Sequence, residues 1–500
     1  MIIFLLLKIC VGPILNIASP ATRKQAWLAL AVSALILNLC ISGQAESKTP
    51  DVKTQIEALQ FQIDQLKTEY GMQNKTAAVS SGGAVEQTSG TFKYTPPSVD
   101  QVFDTCTVCP PAAKESKYPT VKLTGFFQVD AGWFHQDDAN KAVVGDIQDG
   151  ADFRRARLAA VGDVWENVGY MLEMDFAFPG RPSFMDVWFE IKDEEAGNFR
   201  IGQFRHPFGM DGQTSVKELT FLERGLPFTF PPFRQIGMMY YGHTEDEMAT
   251  WAVSGFRFPT DAFGGNIGDS GGYGGAARLT GVLLDDGCDN IVHIGGGYVY
   301  IDPSSDLVQY RNQPEFFVSE TGGAPLVPPG VLTNVPFFVD TNTLATEHVN
   351  MINGELASTS GPLHTQAEIF YTMVSQLNGS SLTFSGGYAQ VGYILTGEHR
   401  PYNRKGGVLG RVVPDNPFGH GGTGAWEVAA RWSYLDLDDD TVQGGKLNDV
   451  TLGLNWYLNK NTKFQLNYIH AFLNSSSAVY GPVVKDSDAD IVAVRGQVDF

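Results

Sequence analysis

The last ten residues of the chain alternate with a period of two between two kinds of side chain. One face holds Val492, Val494, Gly496, Val498 and Phe500, and the other holds Ile491, Ala493, Arg495, Gln497 and Asp499. This alternation is typical of a β-strand whose two faces meet different surroundings. A closing strand that ends on an aromatic residue is common in outer-membrane β-barrels, where the ring lies in the interfacial girdle. The segment therefore predicts a closing barrel strand.

The same pattern recurs from Val121 onward in segments of about ten residues. The clear segments are Val121–His135, Phe153–Val164, Val168–Phe178, Phe184–Lys192, Phe199–His206, Trp251–Phe258, Tyr273–Leu284, Asn290–Ile301, His364–Val374, Leu382–Leu395, Trp426–Leu437, Val450–Leu458 and Lys463–Phe472. Weaker segments cover Gln235–His243 and Glu347–Leu356. With the terminal strand they number about 16, and single-chain barrels have an even number of strands. We therefore predict an all-β fold, a transmembrane antiparallel β-barrel of about 16 strands, preceded by a short N-terminal coiled-coil helix.

The connections between these segments support alternating short turns and longer outer loops. Asp163–Asn167, Asp193–Asn198 and Asn459–Asn461 are short and polar, whereas Pro207–Arg234 and Asp302–Thr346 are long. One connection, Thr396–Gly424, does not fit this alternation. A short turn is expected at its position, but the connection has nearly 30 residues. It is either a large periplasmic excursion or a sign that the strands are miscounted.

The first 119 residues carry different patterns. Residues 1–45 resemble an export signal, with Arg23 and Lys24 before an apolar run; either the signal is extended or the start lies too far upstream. Apolar residues at spacings of 4, 3, 4, 3 and 4 in residues 46–75 predict a short periplasmic coiled coil, with a single amphipathic helix as the alternative. Residues 76–119 are interpreted as a linker with a CxxC motif, and residues 120–500 as the barrel.

Composition and cysteine usage exclude several classes of protein. The formal net charge of −20 makes nucleic acid an improbable partner, and no apolar run after the signal is long enough for a spanning helix. Cys106 and Cys109 predict a local disulfide in an oxidising periplasm, because the context of a redox motif and the partners of a zinc site are missing. No catalytic motif is present, so we expect neither an enzyme nor a bound cofactor or metal.

Two stretches of the barrel region resemble the phosphate-selective porin O and P family. The first stretch comprises Phe153–Arg157, Gly202–Gly209, Thr214–Ser215 and Phe221–Arg224, and the second comprises Gly424–Arg431, Gly453–Leu458 and Arg495–Phe500. The resemblance implies a trimeric outer-membrane barrel of 16 strands whose best-studied members pass phosphate or polyphosphate. It also implies that the third loop folds into the barrel and narrows it. The coil and the CxxC linker lie outside the resemblance.

Basic residues on the non-lipid face are the candidates for ion binding. A charge on the lipid face costs ~2–4 kcal/mol at the bilayer midplane, so strand parity directs these residues inward. The candidates are Arg155, Arg157, Arg278 and Arg431 on strands, and Lys217, Arg224 and Arg234 in the third loop. A guanidinium offers phosphate paired donors. Acidic residues share this parity, so each arginine either contacts ions or braces a carboxylate. Arg400, Arg404, Lys405 and Arg411 form a further basic stretch, either functional or simply solvated.

The predicted function is facilitated diffusion of small anions through an integral outer-membrane porin, with phosphate or polyphosphate first. The expected partners are inorganic anions, outer-membrane lipid and two further copies in a homotrimer. A general or carbohydrate-admitting porin is an alternative on the same scaffold. A second alternative is a structural tether, in which the N-terminal coil joins the outer membrane to peptidoglycan.

Overall fold

The computed structural model describes residues 117–500 apart from 178–180, 194, 268–270, 287–289, 319–333 and 420. It also describes a separate two-stranded hairpin, Val85–Thr88 paired with Thr91–Tyr94, within the stretch interpreted as a linker. The predicted signal, the predicted coil, Cys106 and Cys109 lie outside the described residues. No helix among the described residues is both long and apolar enough to cross a bilayer.

Sixteen long strands form one closed antiparallel barrel, as the periodicity predicts. They are β1 (Lys122–Gln136), β2 (Gly150–Trp165), β3 (Val168–Asp175), β4 (Ser183–Ile191), β5 (Asn198–Arg205), β6 (Arg234–His243), β7 (Ala249–Arg257), β8 (Tyr273–Asp285), β9 (Ile291–Asp302), β10 (Leu344–Ser360), β11 (Leu363–Gln376), β12 (Leu382–Ile394), β13 (Ala425–Asp439), β14 (Val442–Asn459), β15 (Thr462–Ser475) and β16 (Lys485–Asp499). Each strand pairs with its neighbours in sequence, and β16 pairs with β1. Closure leaves no unpaired strand edge facing lipid.

Short elements occupy the connections. The helices are Asp138–Val144 and Met210–Gln213, and the 3₁₀ turns are Leu226–Thr229, Ser304–Asp306 and Ala478–Tyr480. Leu307–Val308 pairs with the beginning of β10, Arg311–Asn312 with Val339–Asp340, and Tyr402–Asn403 with Val408–Leu409. The third loop (residues 206–233) and the fifth loop (residues 303–343) leave one end of the barrel. Short turns and one long connection occupy the other end, which by the convention of bacterial barrels faces the periplasm.

The nearly 30-residue connection lies at the periplasmic end. It joins β12 to β13 and comprises residues 395–424, here called the inner loop. Because all 16 strands are present, the connection is a true excursion and the strand count is correct. Arg278 on β8 donates to the carbonyl oxygen of Gly407 in the inner loop at 2.7 Å, so the hairpin of the loop reaches inside the barrel.

The two faces of the wall differ as the parity argument requires. On β8, Leu279 is 64% exposed on the outer surface whereas its neighbour Arg278 is only 7% exposed. The terminal strand shows the same division, since Arg495 is 1% exposed and Phe500 is 61% exposed. Apolar side chains therefore face lipid at these positions, whereas the arginines point into the barrel.

The wall is low on one side and tall on the other. Strands β3 to β7 have 8 to 10 residues each, whereas β10 to β16 have 13 to 18. The inner face of the tall side packs against Phe316 and Phe338 of the fifth loop and against Leu222 and Phe230 of the third loop. Burial of these rings and chains fills that half of the lumen with protein. Open space remains beside the low wall.

The closing seam depends on the C-terminal residue. Phe500 and Gly125 exchange backbone hydrogen bonds of 3.0 and 3.1 Å, and the Thr124 hydroxyl donates to the Phe500 carbonyl oxygen at 2.6 Å. A Cβ atom at Gly125 would lie 2.9 Å from the Phe500 ring. The terminal ring therefore lies directly over β1.

Replacing Phe500 with Asp should impair assembly, because a charge then replaces an aromatic ring on the lipid-facing seam. The Phe500→Trp variant should assemble normally. The measurement is the fraction of membrane protein that resists SDS before heating. Equal fractions for both variants and the wild type would contradict the role of the terminal ring.

Candidate permeation pathway

The third loop crosses the lumen and is anchored to the wall at both sides. It turns at Gly209, whose φ of +74° favours glycine. Glu368 on β11 then accepts hydrogen bonds from the backbone of Met210 and Asp211 at 2.7 and 2.8 Å. Four strands farther around the barrel, Lys463 of β15 donates to the carbonyl oxygen of Leu219 at 3.1 Å. The loop folds into the barrel, as the family resemblance implies.

A cluster of charged groups around Glu223 fixes the middle of this loop. Its carboxylate accepts from Arg154 at 3.0 Å, from Arg155 at 2.8 Å and from Arg495 at 2.8 Å. Arg495 also donates to Asp130 at 2.7 Å. Burial by itself raises the pKa of Glu223, but the three guanidinium groups hold the pKa well below its ordinary value. The carboxylate is therefore charged and fully compensated.

A bulge in β2 brings two consecutive arginines into this cluster. Gln128 of β1 is opposite Arg155 and Val129 is opposite Phe153, so Arg154 is the extra residue. Strand parity alone would direct Arg154 toward lipid. For that reason Arg155 was among the predicted site residues and Arg154 was not. The bulge turns both guanidinium groups toward Glu223.

Two cavities lie between the third loop and the low wall. The outer cavity has a volume of about 420 Å³ and the inner cavity about 230 Å³. Both are bordered by Arg157, Val216 and Arg234, which therefore form the constriction between them. Together the cavities trace a route past the third loop.

The lining of this route is strongly basic. The basic residues are Arg154, Arg155, Arg157, Arg200, Arg205, Lys217, Arg224, Arg234 and Arg311, and the acidic residues are Glu173, Asp186, Glu223, Asp261 and Glu315. Nine basic against five acidic side chains leave four positive charges in excess, although the whole chain carries a formal charge of −20. The net charge of the side chains that line the route is therefore opposite in sign to the net charge of the whole chain.

Ion pairs compensate some of these charges but not all of them. Arg157 pairs with Asp175 at 2.7 Å and Arg234 pairs with Asp186 at 2.8 Å. Arg200 pairs with Glu190 at 2.6 Å. Within the described residues, Arg205, Lys217, Arg224 and Arg311 have no carboxylate at ion-pairing distance. These four cations keep an uncompensated charge beside the route.

Arg224 and Arg205 converge on one backbone oxygen. They donate to the Thr214 carbonyl at 2.8 and 3.0 Å, and Arg224 also donates to the Asp211 carbonyl at 2.7 Å. Burial lowers the pKa of Arg224 to about 9, so the group remains protonated at neutral pH. Arg205 was not among the predicted site residues, although it lies in the stretch that carries the family resemblance.

The family of the chain follows from comparison with known proteins. The family model for phosphate-selective porin O and P matches residues 121–500. The chain belongs to this family. It is an integral outer-membrane porin.

Two relatives align over most of their lengths. Porin O of Pseudomonas aeruginosa is 25% identical over 409 residues, which cover 78% of this chain and 90% of that protein. An uncharacterized protein of Caulobacter vibrioides is 28% identical over 475 residues, which cover 89% of this chain and 90% of that protein. Among solved structures, an anion-selective porin from Comamonas acidovorans has 14% identity and a TM-score of 0.46, covering 76% of this chain and 99% of that chain. OmpT of Vibrio cholerae has 12% identity and a TM-score of 0.43, covering 76% and 99%.

The porin brings five of the seven predicted site residues to the route. Arg155, Arg157, Lys217, Arg224 and Arg234 border at least one of the two cavities. Arg278 and Arg431 border neither. These two have bracing contacts, which the sequence interpretation held as the alternative.

Arg278 and Arg431 each fasten a loop to the wall. Arg278 donates to Glu355 at 2.8 and 2.7 Å as well as to the inner loop. Arg431 donates to Glu315 of the fifth loop at 2.9 Å and to the Glu223 carbonyl oxygen at 3.0 Å. Both positions are therefore needed for the arrangement of the loops, whatever their contact with ions.

The basic stretch of the inner loop is also paired. Arg400 donates to the carbonyl oxygen of Glu218 and to Thr220 in the third loop, and Arg411 bonds to the Glu218 carboxylate at 2.7 Å. Arg404 pairs with Asp285, and Lys405 pairs with Glu247 at 3.4 Å. Arg404, Lys405 and Arg411 thus balance acids elsewhere in the barrel, whereas uncharged oxygen atoms hold Arg400. Within the described residues, no three His, Cys, Asp or Glu side chains converge to hold a metal ion.

Replacing Glu223 with Ala should lower the free energy of unfolding by about 3–5 kcal/mol, because three buried guanidinium groups lose their shared partner. The measurement is the temperature at which the SDS-resistant form disappears. Glu347→Ala is the control, since that carboxylate is 67% exposed and its removal should leave the temperature unchanged. An equal temperature for both variants would contradict the anchoring role.

The anchoring should also depend on pH in one direction. Glu223 has a depressed pKa in the folded state, so its contribution is present above the pKa of the unfolded chain, ~4.3. That contribution is lost as the pH falls through the folded-state pKa. The difference in unfolding temperature between wild type and Glu223→Ala should therefore have its largest value at pH 7 and should decrease in strong acid.

Proposed function

We propose that the porin conducts small anions by facilitated diffusion along the two-cavity route, with phosphate as the preferred inorganic ion. The observation that carries this proposal is the excess of four positive charges along the route in a protein of formal charge −20. A narrow basic lumen attracts anions and repels cations. No energy coupling is required.

The contacts of the unpaired cations suggest how phosphate is held. Arg224 and Arg205 are fixed by backbone carbonyl oxygens, so their remaining N–H groups keep their positions without a carboxylate. Such preorganised donors can replace part of the hydration shell of an anion. Arg157 and Arg234 at the constriction stay paired and set its width. Phosphate would pass from one set of donors to the next by weak, repeated binding.

The filled lumen argues against a general or carbohydrate-admitting porin. The third, fifth and inner loops all contact the wall or one another inside the barrel, and the space beside the low wall consists of cavities of about 420 and 230 Å³ joined by a constriction. A wide aqueous channel would not need so many anchored loops. A route for small ions fits these dimensions better.

We further propose a homotrimer, as the family resemblance implies. The unheated protein should then migrate in SDS at about three times the mass of the heated chain, because closed barrels keep their hydrogen bonds in detergent. A single-chain band before heating would contradict the trimer while leaving the route intact. A periplasmic coil that contacts peptidoglycan remains a prediction for the N-terminal residues.

Neutralising an unpaired cation should weaken phosphate binding and anion selectivity. In single-channel recordings, Arg224→Gln, Arg205→Gln and Lys217→Gln should each raise the phosphate concentration that halves the chloride current by about tenfold or more. A unit charge at ~4 Å contributes ~4 kcal/mol at an effective dielectric constant of 20. The matched control is Lys446→Gln, which removes a charge that pairs with Asp436 away from the route.

Two results would contradict parts of this proposal. If phosphate never reduces the chloride current of the wild type, phosphate is not the preferred ion. If phosphate acts equally on the three variants and the wild type, the binding site is elsewhere on the route. Arg157 and Arg234 at the constriction are then the next residues to replace.

A further inference from the structure

Five phenylalanines border the outer cavity. They are Phe184 on β4, Phe228 and Phe233 in the third loop, and Phe317 and Phe337 in the fifth loop. All five are half-buried, and each borders the cavity. Apolar surface that faces water has an unfavourable free energy, and a concentrated apolar patch usually marks a binding site. An inorganic anion has no apolar surface that such a patch could bind.

Guanidinium groups stack on most of these rings. Arg154 lies 4.5 Å from the centre of the Phe317 ring, Arg224 lies 4.5 Å from Phe228, and Arg311 lies 4.2 Å from Phe337. A guanidinium that stacks on a ring keeps its N–H donors in its own plane, where they can still bind an oxyanion. The cavity therefore offers apolar surface and anion donors side by side.

Phe233 holds a strained conformation at the centre of this group. Its φ of +53° lies in the left-handed region, which a bulky side chain rarely adopts. Its ring lies 5.0 Å from the Arg224 guanidinium, 4.7 Å from that of Arg234, and packs edge-on against Phe228 at 4.9 Å. Strain of this kind persists where surrounding contacts impose it, and it clusters at ligand sites.

We propose that the outer cavity binds aryl oxyanions, in which a planar apolar ring carries a phosphate or carboxylate group. The ring would pack among the five phenylalanines, and the oxyanion would bind the arginines that border the same cavity. A volume of about 420 Å³ is within the range of small-molecule sites. This inference rests on the proposed function, because the same arginines bind the anionic group.

The experiment compares three probes that share one head group. Inorganic phosphate, methyl phosphate and phenyl phosphate are titrated separately against the chloride current of the full-length porin in planar bilayers. In the wild type, phenyl phosphate should halve the current at about a tenfold lower concentration than methyl phosphate, because only the phenyl group can contact the rings.

Variants of the rings test the site itself. Phe337→Ala and Phe228→Ala should bring the half-blocking concentrations of phenyl and methyl phosphate together, because loss of a ring raises the phenyl value far more than the methyl value. Phe189→Ala, at a lipid-facing position that is 45% exposed, is the matched control and should keep the wild-type ratio. Resistance to SDS before heating shows that each variant is folded. If Phe337→Ala does not assemble, Phe337→Leu replaces it in the titration.

The outcomes separate this inference from the proposed function. If phenyl and methyl phosphate act alike on the wild type while inorganic phosphate still reduces the current, the rings only orient the arginines and the inference is wrong. If phenyl phosphate alone acts, the inference holds and phosphate is not the preferred inorganic ion. If no probe acts, both are wrong.

Discussion

Glu223 is the single side chain on which the arrangement of the lumen depends. Its carboxylate receives Arg154, Arg155 and Arg495 from two strands of the wall and thereby fixes the middle of the third loop. Three like charges within a few ångströms of one another repel strongly in a buried setting. One carboxylate, helped by Asp130, allows them to coexist, and the loop that carries it is held in place as a consequence.

The pairing of arginines with carboxylates also explains how an acidic protein can contain a basic route. Most inward arginines are matched by a carboxylate on a nearby strand or on an infolded loop, as with Arg278 and Glu355 or Arg431 and Glu315. Two arginines beside the low wall are different, because backbone carbonyl oxygens rather than carboxylates hold Arg224 and Arg205. A carbonyl oxygen orients a guanidinium without cancelling its charge. In the proposed mechanism, selectivity therefore depends on the kind of partner and not on the number of arginines.

The three infolded loops together fill one side of the lumen. The fifth loop packs apolar rings against the tall wall, the inner loop is tied to β8 through Arg278, and the third loop lies between them. In the proposed function, filling one side of the lumen confines permeation to the other side, where the unpaired cations lie. The rings that the third and fifth loops present to the outer cavity make that entrance apolar as well as basic.

Local patterns in the sequence are sufficient to predict the barrel. The period of two, the spacing of turns and the terminal aromatic residue predict about 16 strands and their inward faces, because these features are local and repeat along the chain. The nature of the long connection between β12 and β13 stayed open until the structure showed all 16 strands. Strand parity directs Arg155 and Arg157 to the route for the same reason, whereas Lys217, Arg224 and Arg234 were expected there because the family resemblance implies an infolded third loop. The pairing of charges is visible only in the folded chain, since Arg431 and Glu315 are 116 residues apart and no local pattern joins them. The bulge at Arg154 reversed the local parity, and the backbone of the third loop positioned Arg205; both depend on contacts between distant segments, which periodicity does not encode.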